Sequence, residues 1–176
     1  MMTFVTPHLT IFRLEKRKQK WWLTSLLVPM LRILLVEDNP ADARLLQTSL
    51  VKTGLPLEII RLVDGQKAIE YLAASPSCDI VLLDLNLPRL DGYQVLEYIR
   101  SRKELKSLPV IIMSGSTDVD EIDRCYQAGA NSYICKPIRL DEILSTAVSL
   151  VTYWSNCVKL PSRRFLPRPL TVSHLP

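Results

Sequence analysis

Five short apolar runs, alternating with segments of helical periodicity, constrain the fold of this 176-residue chain more than any other feature. The apolar runs begin at residue 31, and each is too short to be a helix. Strands that alternate with helices in this way pair in parallel and carry helices on both faces. We therefore predict an α/β fold with a doubly wound five-stranded parallel sheet flanked by five helices. The predicted strands are RILLVED, LPLEIIRLV, CDIVLLDL, LPVIIMSG and ANSYICKP.

Capping residues mark the ends of the predicted helices. Asn39 is suited to cap the first helix, with Pro40 at its first position and Gly54 beyond its end. Gly129 is suited to end the fourth helix. The last helix is predicted within residues 139–154, where apolar side chains recur at helical spacing. These side chains are Leu140, Ile143, Leu144, Ala147, Leu150 and Val151.

The net charge of +4 comes from the two ends of the chain. Residues 1–30 carry five Lys and Arg and one acid, and residues 161–176 carry three arginines. Residues 31–160 carry 14 Lys and Arg against 17 Asp and Glu. Because a nucleic-acid footprint is a basic patch on the folded body, this distribution argues against a nucleic-acid partner.

Composition divides the chain into three parts. Residues 1–30 are predicted to be a poorly ordered N-terminal extension, and residues 31–155 the folded domain. The apolar stretch WWLTSLLVPM in the extension is about half the roughly 20 residues that a membrane span needs, so we expect no stable membrane insertion. Residues 156–176 are predicted to be a basic, proline-rich tail, too short for an effector domain.

The cysteines and histidines bear on the compartment and on metals. The four cysteines are scattered without a CxxC pair, and no histidine lies between positions 9 and 173. This pattern argues against a zinc site and favours reduced thiols in a cytoplasmic protein. The five glycines are isolated, with neither GxGxxG nor GxxxxGK, which argues against a nucleotide-binding loop.

Carboxylates stand at the ends of two predicted strands. Asp84 ends the third strand, and Glu37 and Asp38 end the first. Parallel strands present their carboxyl ends at one edge of the sheet, where open α/β proteins bind ligands. Three crowded carboxylates repel one another by several kcal/mol, since two charges about 4 Å apart repel by roughly 4 kcal/mol at an effective dielectric constant near 20. Such oxygen ligands favour magnesium.

The fourth and fifth strands end in different chemistry. Ser114 offers a hydroxyl group, and Lys136 offers an ammonium group at the same edge. A carboxylate nucleophile with a magnesium site, a hydroxyl and a lysine is suited to receive a phosphoryl group, because phosphoryl transfer depends on positioning and charge neutralisation. We therefore predict that Asp84 is phosphorylated.

Four motifs in order, LLVEDNP, VLLDLNLPRLDG, IIMSGS and NSYICKP, give residues 31–155 a specific resemblance to the receiver domains of two-component response regulators. The resemblance implies a flavodoxin-like receiver fold and a single-domain regulator phosphorylated by a sensor histidine kinase, with self-catalysed phosphorylation and dephosphorylation only. It implies magnesium bound by Asp38 and Asp84, by Glu37 through water, and by the backbone carbonyl of Asn86. The signal would pass to a downstream protein target.

The same resemblance implies roles for the residues that follow. Ser114 would bind a phosphoryl oxygen, Tyr133 would be an aromatic switch, and the Lys136–Pro137 peptide bond would be cis. Gly115 stands where alanine is frequent in the family, which leaves the amplitude of the switch open.

A finer resemblance concerns the segments LKSLPVIIMSGS and YWSNCVKLP. They are similar to small stand-alone receivers that pair with phytochrome-type histidine kinases and form homodimers through the end of the last helix. The likeness rests on Trp154, Val158, Leu160 and Pro161. The predicted dimer contacts are Tyr153, Trp154, Val158 and Leu160. For Trp154 the alternative is a side chain that caps the core.

Two other functions are open on the sequence. Aspartate-nucleophile phosphatases also place Asp after a buried strand, but they use a second acid two positions later, where this chain has Asn86. A regulator with nucleic-acid output would need an effector domain, which the short tail does not supply.

Overall fold

The computed structural model describes residues 30–74 and 78–161. Within them lie five parallel strands in one sheet, in the order β2-β1-β3-β4-β5. The strands are β1 Leu31–Val36, β2 Leu57–Leu62, β3 Ile80–Asp84, β4 Val110–Ser114 and β5 Ser132–Cys135. The helices are α1 Pro40–Val51, α2 Gly65–Ala73, α3 Gly92–Ser101, α4 Val119–Gln127 and α5 Leu140–Thr152. The predicted doubly wound, flavodoxin-like receiver fold is confirmed.

The central strands are buried on both faces of the sheet. All five residues of β3 and of β4 are buried, and the alternate side chains of β3 enter different cores. Val81 and Leu83 pack in one core, and Ile80 and Leu82 pack in the other. The unbroken apolar runs in the sequence are explained by this two-sided cover, because a strand with one wet face would alternate with polar residues.

The register brings the strand ends to one level. Val36 pairs with Leu83, so Glu37 follows β1 at the level of Asp84. Across β3 and β4, Asp84 pairs with Met113, and across β4 and β5, Ser114 pairs with Cys135. The residues that follow each strand therefore meet at one edge of the sheet, as the sequence predicts.

The capping predictions for α1 and α4 are confirmed. Asn39 Oδ1 accepts hydrogen bonds from the N–H groups of Ala41 and Asp42, with Pro40 in the first turn of α1. Beyond α1 and α4, Gly54 and Gly129 have φ values of 72° and 95°, a left-handed conformation that glycine adopts at little cost.

Gly92 fixes the loop after β3 against the strand end. A Cβ atom at this position would lie 2.2 Å from the carbonyl oxygen of Asp84 and 2.7 Å from the Cα of Leu85. Asp91 caps α3 by accepting from the Gln94 N–H, and the Gln94 side chain accepts from the Asp91 N–H. Together these contacts hold the start of α3 against the backbone of Asp84.

The last helix differs in part from the expectation. Helix α5 ends at Thr152, and the chain continues as one π-helical turn over Tyr153–Cys157. Of its apolar residues, Ala147, Leu150 and Val151 are buried, whereas Leu140 and Leu144 are 64% and 38% exposed. Helical spacing alone does not tell which apolar positions a neighbouring element covers.

The segment after α5 turns back onto the domain. Trp154 and Leu160 pack, partly buried, against the core that contains Leu35 and Leu82. Trp154 also meets Tyr153 edge-on, with ring centroids 5.4 Å apart. The predicted N-terminal extension lies outside the described residues except for Met30, and the predicted tail is described only as far as Pro161. Within the described ranges, no helix has the length and apolar character that a membrane crossing requires.

Candidate functional site

The site lies at the carboxyl edge of the sheet and is built on three carboxylates. Glu37 and Asp84 are buried, at 3% and 5% exposure, whereas Asp38 is exposed. One ligand oxygen from each of the three lies within 4.8 Å of the others. Such a set of close, hard oxygen donors fits a divalent cation of the magnesium type.

Lys136, which follows β5, supplies the positive charge of the site. Its Nζ atom donates to Glu37 Oε2 and to Asp84 Oδ2, at 2.7 Å in each case, and lies 3.6 Å from Asp42 Oδ2. Burial lowers the pKa of Lys136, but the hydrogen bonds and charges of Asp84 and Glu37 outweigh burial and raise its pKa overall. Lys136 is therefore held charged between two buried acids.

Glu37 illustrates the cost of burying a carboxylate. Burial raises the pKa of Glu37, and the nearby charge of Asp84 adds to the rise, although the hydrogen bond from Lys136 opposes both. The Asn39 N–H also donates to Glu37 Oε1 at 3.2 Å. The loop is braced from β2, where the Arg61 guanidinium donates to the backbone carbonyls of Glu37 and Asp38 at 3.2 and 3.1 Å.

The loop after β3 is held by its own backbone and by an ion pair. The Asn86 N–H donates to Asp84 Oδ1 at 3.1 Å, so both oxygens of Asp84 have a partner. Arg89, with a φ of 68°, reaches from the loop to Asp64, a buried acid whose Oδ2 lies 2.9 Å from the guanidinium. Asp64 Oδ1 accepts from the Lys67 N–H and caps α2. The loop is thus tied to the start of α2.

Ser114 and Tyr133 both contact Glu121, a residue that the sequence patterns above do not single out. The Ser114 hydroxyl is buried and donates to Glu121 Oε1 at 2.9 Å, and the Tyr133 hydroxyl donates to the same oxygen at 2.6 Å. Tyr133 also lies 3.0 Å from the carbonyl oxygen of Ser116. Burial and the Glu121 carboxylate raise the pKa of Tyr133 to about 12.

A signal for Glu121 exists in the sequence. It stands four positions before Cys125, the buried residue of α4, so the two lie on the same face of the helix. An acid on the buried face of a helix needs a hydrogen-bond donor, because an unpaired buried charge is costly. The fold provides two donors, Ser114 at the end of β4 and Tyr133 within the neighbouring strand β5.

The expected cis peptide bond is absent, and that prediction was wrong. The described residues contain no cis peptide bond, so the Lys136–Pro137 bond is trans. The trans form is favoured before proline by only about 0.5–1 kcal/mol, and the sequence does not reveal which isomer the surroundings select. With the trans bond, the Lys136 N–H donates to the Ser114 carbonyl at 2.6 Å and the ammonium group still reaches both acids.

Comparison with known proteins agrees with this geometry. The sequence profile of the response regulator receiver domain family matches residues 33–148. A probable methanogenesis regulatory protein, FilR2 of Methanothrix harundinacea, is 36% identical over 127 residues, which are 69% of this chain and 82% of that protein. The response regulator Rcp1 of Synechocystis is 35% identical over 136 residues, 74% of this chain and 92% of Rcp1.

Comparison with solved structures also finds response regulators. The phosphorylated cyanobacterial phytochrome response regulator RcpA is 36% identical, with a TM-score of 0.71, and the match covers 76% of this chain and 100% of RcpA. The Mn²⁺-bound form of Rcp1 is 35% identical with a TM-score of 0.70 at the same coverage. The predicted likeness to the receivers of phytochrome systems is therefore confirmed. The chain belongs to the response regulator receiver domain family and is a phosphoacceptor domain of two-component signalling.

Proposed function

We propose that Asp84 accepts the phosphoryl group and that Lys136, Ser114 and a bound magnesium ion assist the transfer. The observation that carries the proposal is the double contact of Lys136 Nζ, 2.7 Å from Asp84 Oδ2 and 2.7 Å from Glu37 Oε2. A buried carboxylate with a fixed cation beside it has the charge and position that phosphoryl transfer requires.

The transfer moves one phosphoryl group between two heteroatoms. An oxygen of Asp84 forms a bond to phosphorus, and the bond from phosphorus to the imidazole nitrogen of the donor's phosphohistidine breaks. The leaving imidazole takes the bonding electron pair and picks up a proton from water. The product is an acyl phosphate on Asp84, and attack by water on its phosphorus later restores the carboxylate and releases inorganic phosphate.

A magnesium ion would be held by Asp38 and Asp84, by Glu37 through water, and by the backbone carbonyl of Asn86. When bound, it would offset the negative charge of the phosphoryl oxygens. Lys136, which contacts Asp84 directly, would pair with a phosphoryl oxygen after transfer. Ser114 would turn its hydroxyl toward another phosphoryl oxygen, and Tyr133 would move into the space that Ser114 leaves.

We infer that the donor is a sensor histidine kinase of the phytochrome type, in keeping with the similarity to Rcp1 and RcpA. A hollow beside the site, partly lined by apolar side chains, offers the donor a surface to contact. Its apolar lining residues are Leu45, Leu46, Met113, Pro137 and Ile143, and its polar lining residues are Glu37, Asp42, Lys136 and Thr146. Ile138, which follows Pro137 in the chain, is 96% exposed and adds an apolar side chain that a partner could contact.

We further propose a cytoplasmic protein that signals through a protein target and forms a homodimer. None of the four cysteines, all of them described, forms a disulfide, which suits a reducing compartment. For the homodimer, Tyr153 is 56% exposed at the end of α5, and Trp154 borders a cavity of about 590 Å³ between α5 and β5. With Val158 and Leu160 beyond them, these residues offer an apolar margin to a second copy.

The two alternatives from the sequence are not favoured. A phosphatase would need an acid at the position of Asn86, and the N–H of that residue instead orients Asp84 Oδ1. A regulator with nucleic-acid output would need a basic face, whereas residues 31–160 carry more acids than bases.

Incubation with a small-molecule phosphodonor and magnesium tests the acceptor. The wild-type chain should gain one phosphoryl group that is stable in acid and labile in base, as measured by intact mass. Asp84→Asn should gain none while keeping its circular dichroism spectrum. Asp123→Asn, which removes an exposed acid on α4, is the matched control and should be labelled like the wild type. Full labelling of Asp84→Asn would show that another residue is the acceptor.

A further inference from the structure

Glu121 occupies the position between the two residues that respond to phosphorylation in the proposed function. Its Oε1 atom accepts from the Ser114 hydroxyl at 2.9 Å and from the Tyr133 hydroxyl at 2.6 Å. Ser114 is completely buried, and its oxygen also accepts from the Ser116 N–H at 3.2 Å. The one hydroxyl proton of Ser114 is therefore directed at Glu121.

The backbone of Glu121 is held by contacts with the start of α3. The Tyr93 hydroxyl, at the start of α3, donates to the Glu121 carbonyl at 3.4 Å, and the Cys125 thiol donates to the Tyr93 hydroxyl at 3.4 Å. The Arg124 guanidinium lies 4.1 Å from the centre of the Tyr93 ring. The first turn of α4 is thus fixed against the start of α3, so Glu121 does not follow Ser114 freely.

A serine hydroxyl has a single proton to donate. While Ser114 donates it to Glu121, it has none to donate to a phosphoryl oxygen on Asp84. The phosphoryl group and the Glu121 carboxylate therefore compete for one donor. Hydrogen bonds to a carboxylate and to a phosphoryl oxygen are both charge-assisted, so the phosphoryl group gains Ser114 only by displacing a bond of the same kind.

We propose that Glu121 is a positioning residue that holds the resting conformation by binding the Ser114 and Tyr133 hydroxyls together, an arrangement we call the Glu121 latch. The latch rests on the proposed phosphorylation of Asp84. It sets the threshold for activation, because a phosphoryl group must take Ser114 from Glu121 before Tyr133 is released. Weakening the latch should favour the activated conformation and so tighten binding of a phosphoryl mimic.

The variants Glu121→Gln and Glu121→Ala test the latch. The matched control is Asp120→Asn, because Asp120 is an acid of the same helical turn but is exposed. All proteins are labelled with 3-fluorotyrosine, and the Tyr133 resonance is assigned with Tyr133→Phe. Beryllofluoride with magnesium is titrated while the fluorine spectrum is recorded. Either Glu121 variant suffices, so misfolding of one leaves the other to decide.

Without beryllofluoride, the Tyr133 fluorine resonance should move in the Glu121 variants and stay in place in Asp120→Asn. With it, the Glu121 variants should bind more tightly than the wild type by about 10-fold or more, as expected when a charged hydrogen bond that opposes binding is lost. Asp120→Asn should bind like the wild type, since it keeps the latch intact.

The outcomes separate the latch from the function on which it rests. If the wild type binds beryllofluoride and the Glu121 variants bind it no more tightly than Asp120→Asn, the latch is overturned and the proposed function stands. An unmoved Tyr133 resonance in the Glu121 variants overturns it as well. If the wild type does not bind beryllofluoride with magnesium, the proposed function fails and the latch fails with it.

Discussion

At the scale of single residues, the site depends on the charge balance around Lys136. Two buried carboxylates, Glu37 and Asp84, face one ammonium group at 2.7 Å each, and Asp38 adds a third acid at the exposed rim. Buried ion pairs contribute little net stability, but removing one partner is costly because the other charge is left uncompensated. The lysine therefore stabilises the protein chiefly by neutralising acids that a cation site requires.

Replacing Lys136 with Met should separate the effect of the lysine on stability from its effect on magnesium binding. In chelator, Lys136→Met should lower the free energy of unfolding by about 2–4 kcal/mol, because Glu37 and Asp84 are left facing each other. Magnesium should then bind more tightly than to the wild type, because a positive charge has been removed from beside the ligands. Chemical denaturation with and without magnesium measures both quantities.

Arg139→Met is the control for that experiment. Arg139 pairs with Asp141 at 3.1 Å, but both side chains are about 70% exposed, so its loss should leave the free energy of unfolding nearly unchanged. Lys136→Met with unchanged stability in chelator would mean that the two acids do not depend on the lysine.

At the scale of elements, the sheet register and the start of α3 place the site residues. Asp84 and Glu37 lie level because β1 and β3 pair in that register, and Gly92 lets α3 begin against the backbone of Asp84. The sequence predicts the helix caps and the meeting of these acids at one edge of the sheet, because apolar runs, capping residues and strand-end acids are local signals. It predicts neither the register nor the role of Gly92. Asn39, Gly54 and Gly129 are examples that the structure confirms.

The remaining features depend on contacts between distant parts of the chain. Glu121 faces Ser114 and Tyr133 only after α4 has packed on the sheet, and Arg89 reaches Asp64 across two loops. The trans form of the Lys136–Pro137 bond is also set by its surroundings rather than by its own residues. The sequence indicates that Glu121 lies on the buried face of α4, but no local pattern encodes which residues meet in such pairings.

Two glycine substitutions test whether the close approach of α3 to the backbone of Asp84 is needed for the site. Gly92→Ala should lower the free energy of unfolding by about 2–3 kcal/mol and slow phosphorylation, because its Cβ would collide with the Asp84 backbone. Gly115→Ala should be nearly neutral, because a Cβ there meets nothing within 4 Å. Denaturation and phosphodonor labelling measure both effects, and equal behaviour of the two variants would contradict this role of Gly92.

At the scale of the whole molecule, signalling depends on a surface that a partner can contact. The segment after α5 folds back so that Trp154 and Leu160 pack on the core while Tyr153 stays exposed. Trp154 thus fits the core-capping alternative, and its contribution to a dimer is a prediction. Tyr153 is the better probe of a dimer, because replacing it disturbs the core least.

The proposed homodimer is tested by light scattering coupled to size exclusion. The wild type should dimerise, and beryllofluoride with magnesium should tighten the dimer. Tyr153→Ser should weaken it about tenfold or more, as expected for a tyrosine within an interface. Val51→Ser, which changes a 65% exposed side chain on α1, should behave like the wild type. A wild-type monomer in both states would rule out the dimer.

The central claim is that Asp84 itself receives the phosphoryl group. Borohydride reduction tests it most directly, because it converts an aspartyl phosphate to homoserine and leaves free carboxylates unchanged. After incubation with a phosphodonor and magnesium, peptide mass spectrometry should find homoserine at position 84 and aspartate or glutamate unchanged at positions 37, 38 and 42. Homoserine at position 38 or 42, or 5-hydroxynorvaline (the reduction product of a glutamyl phosphate) at position 37, with aspartate intact at position 84, would contradict the account.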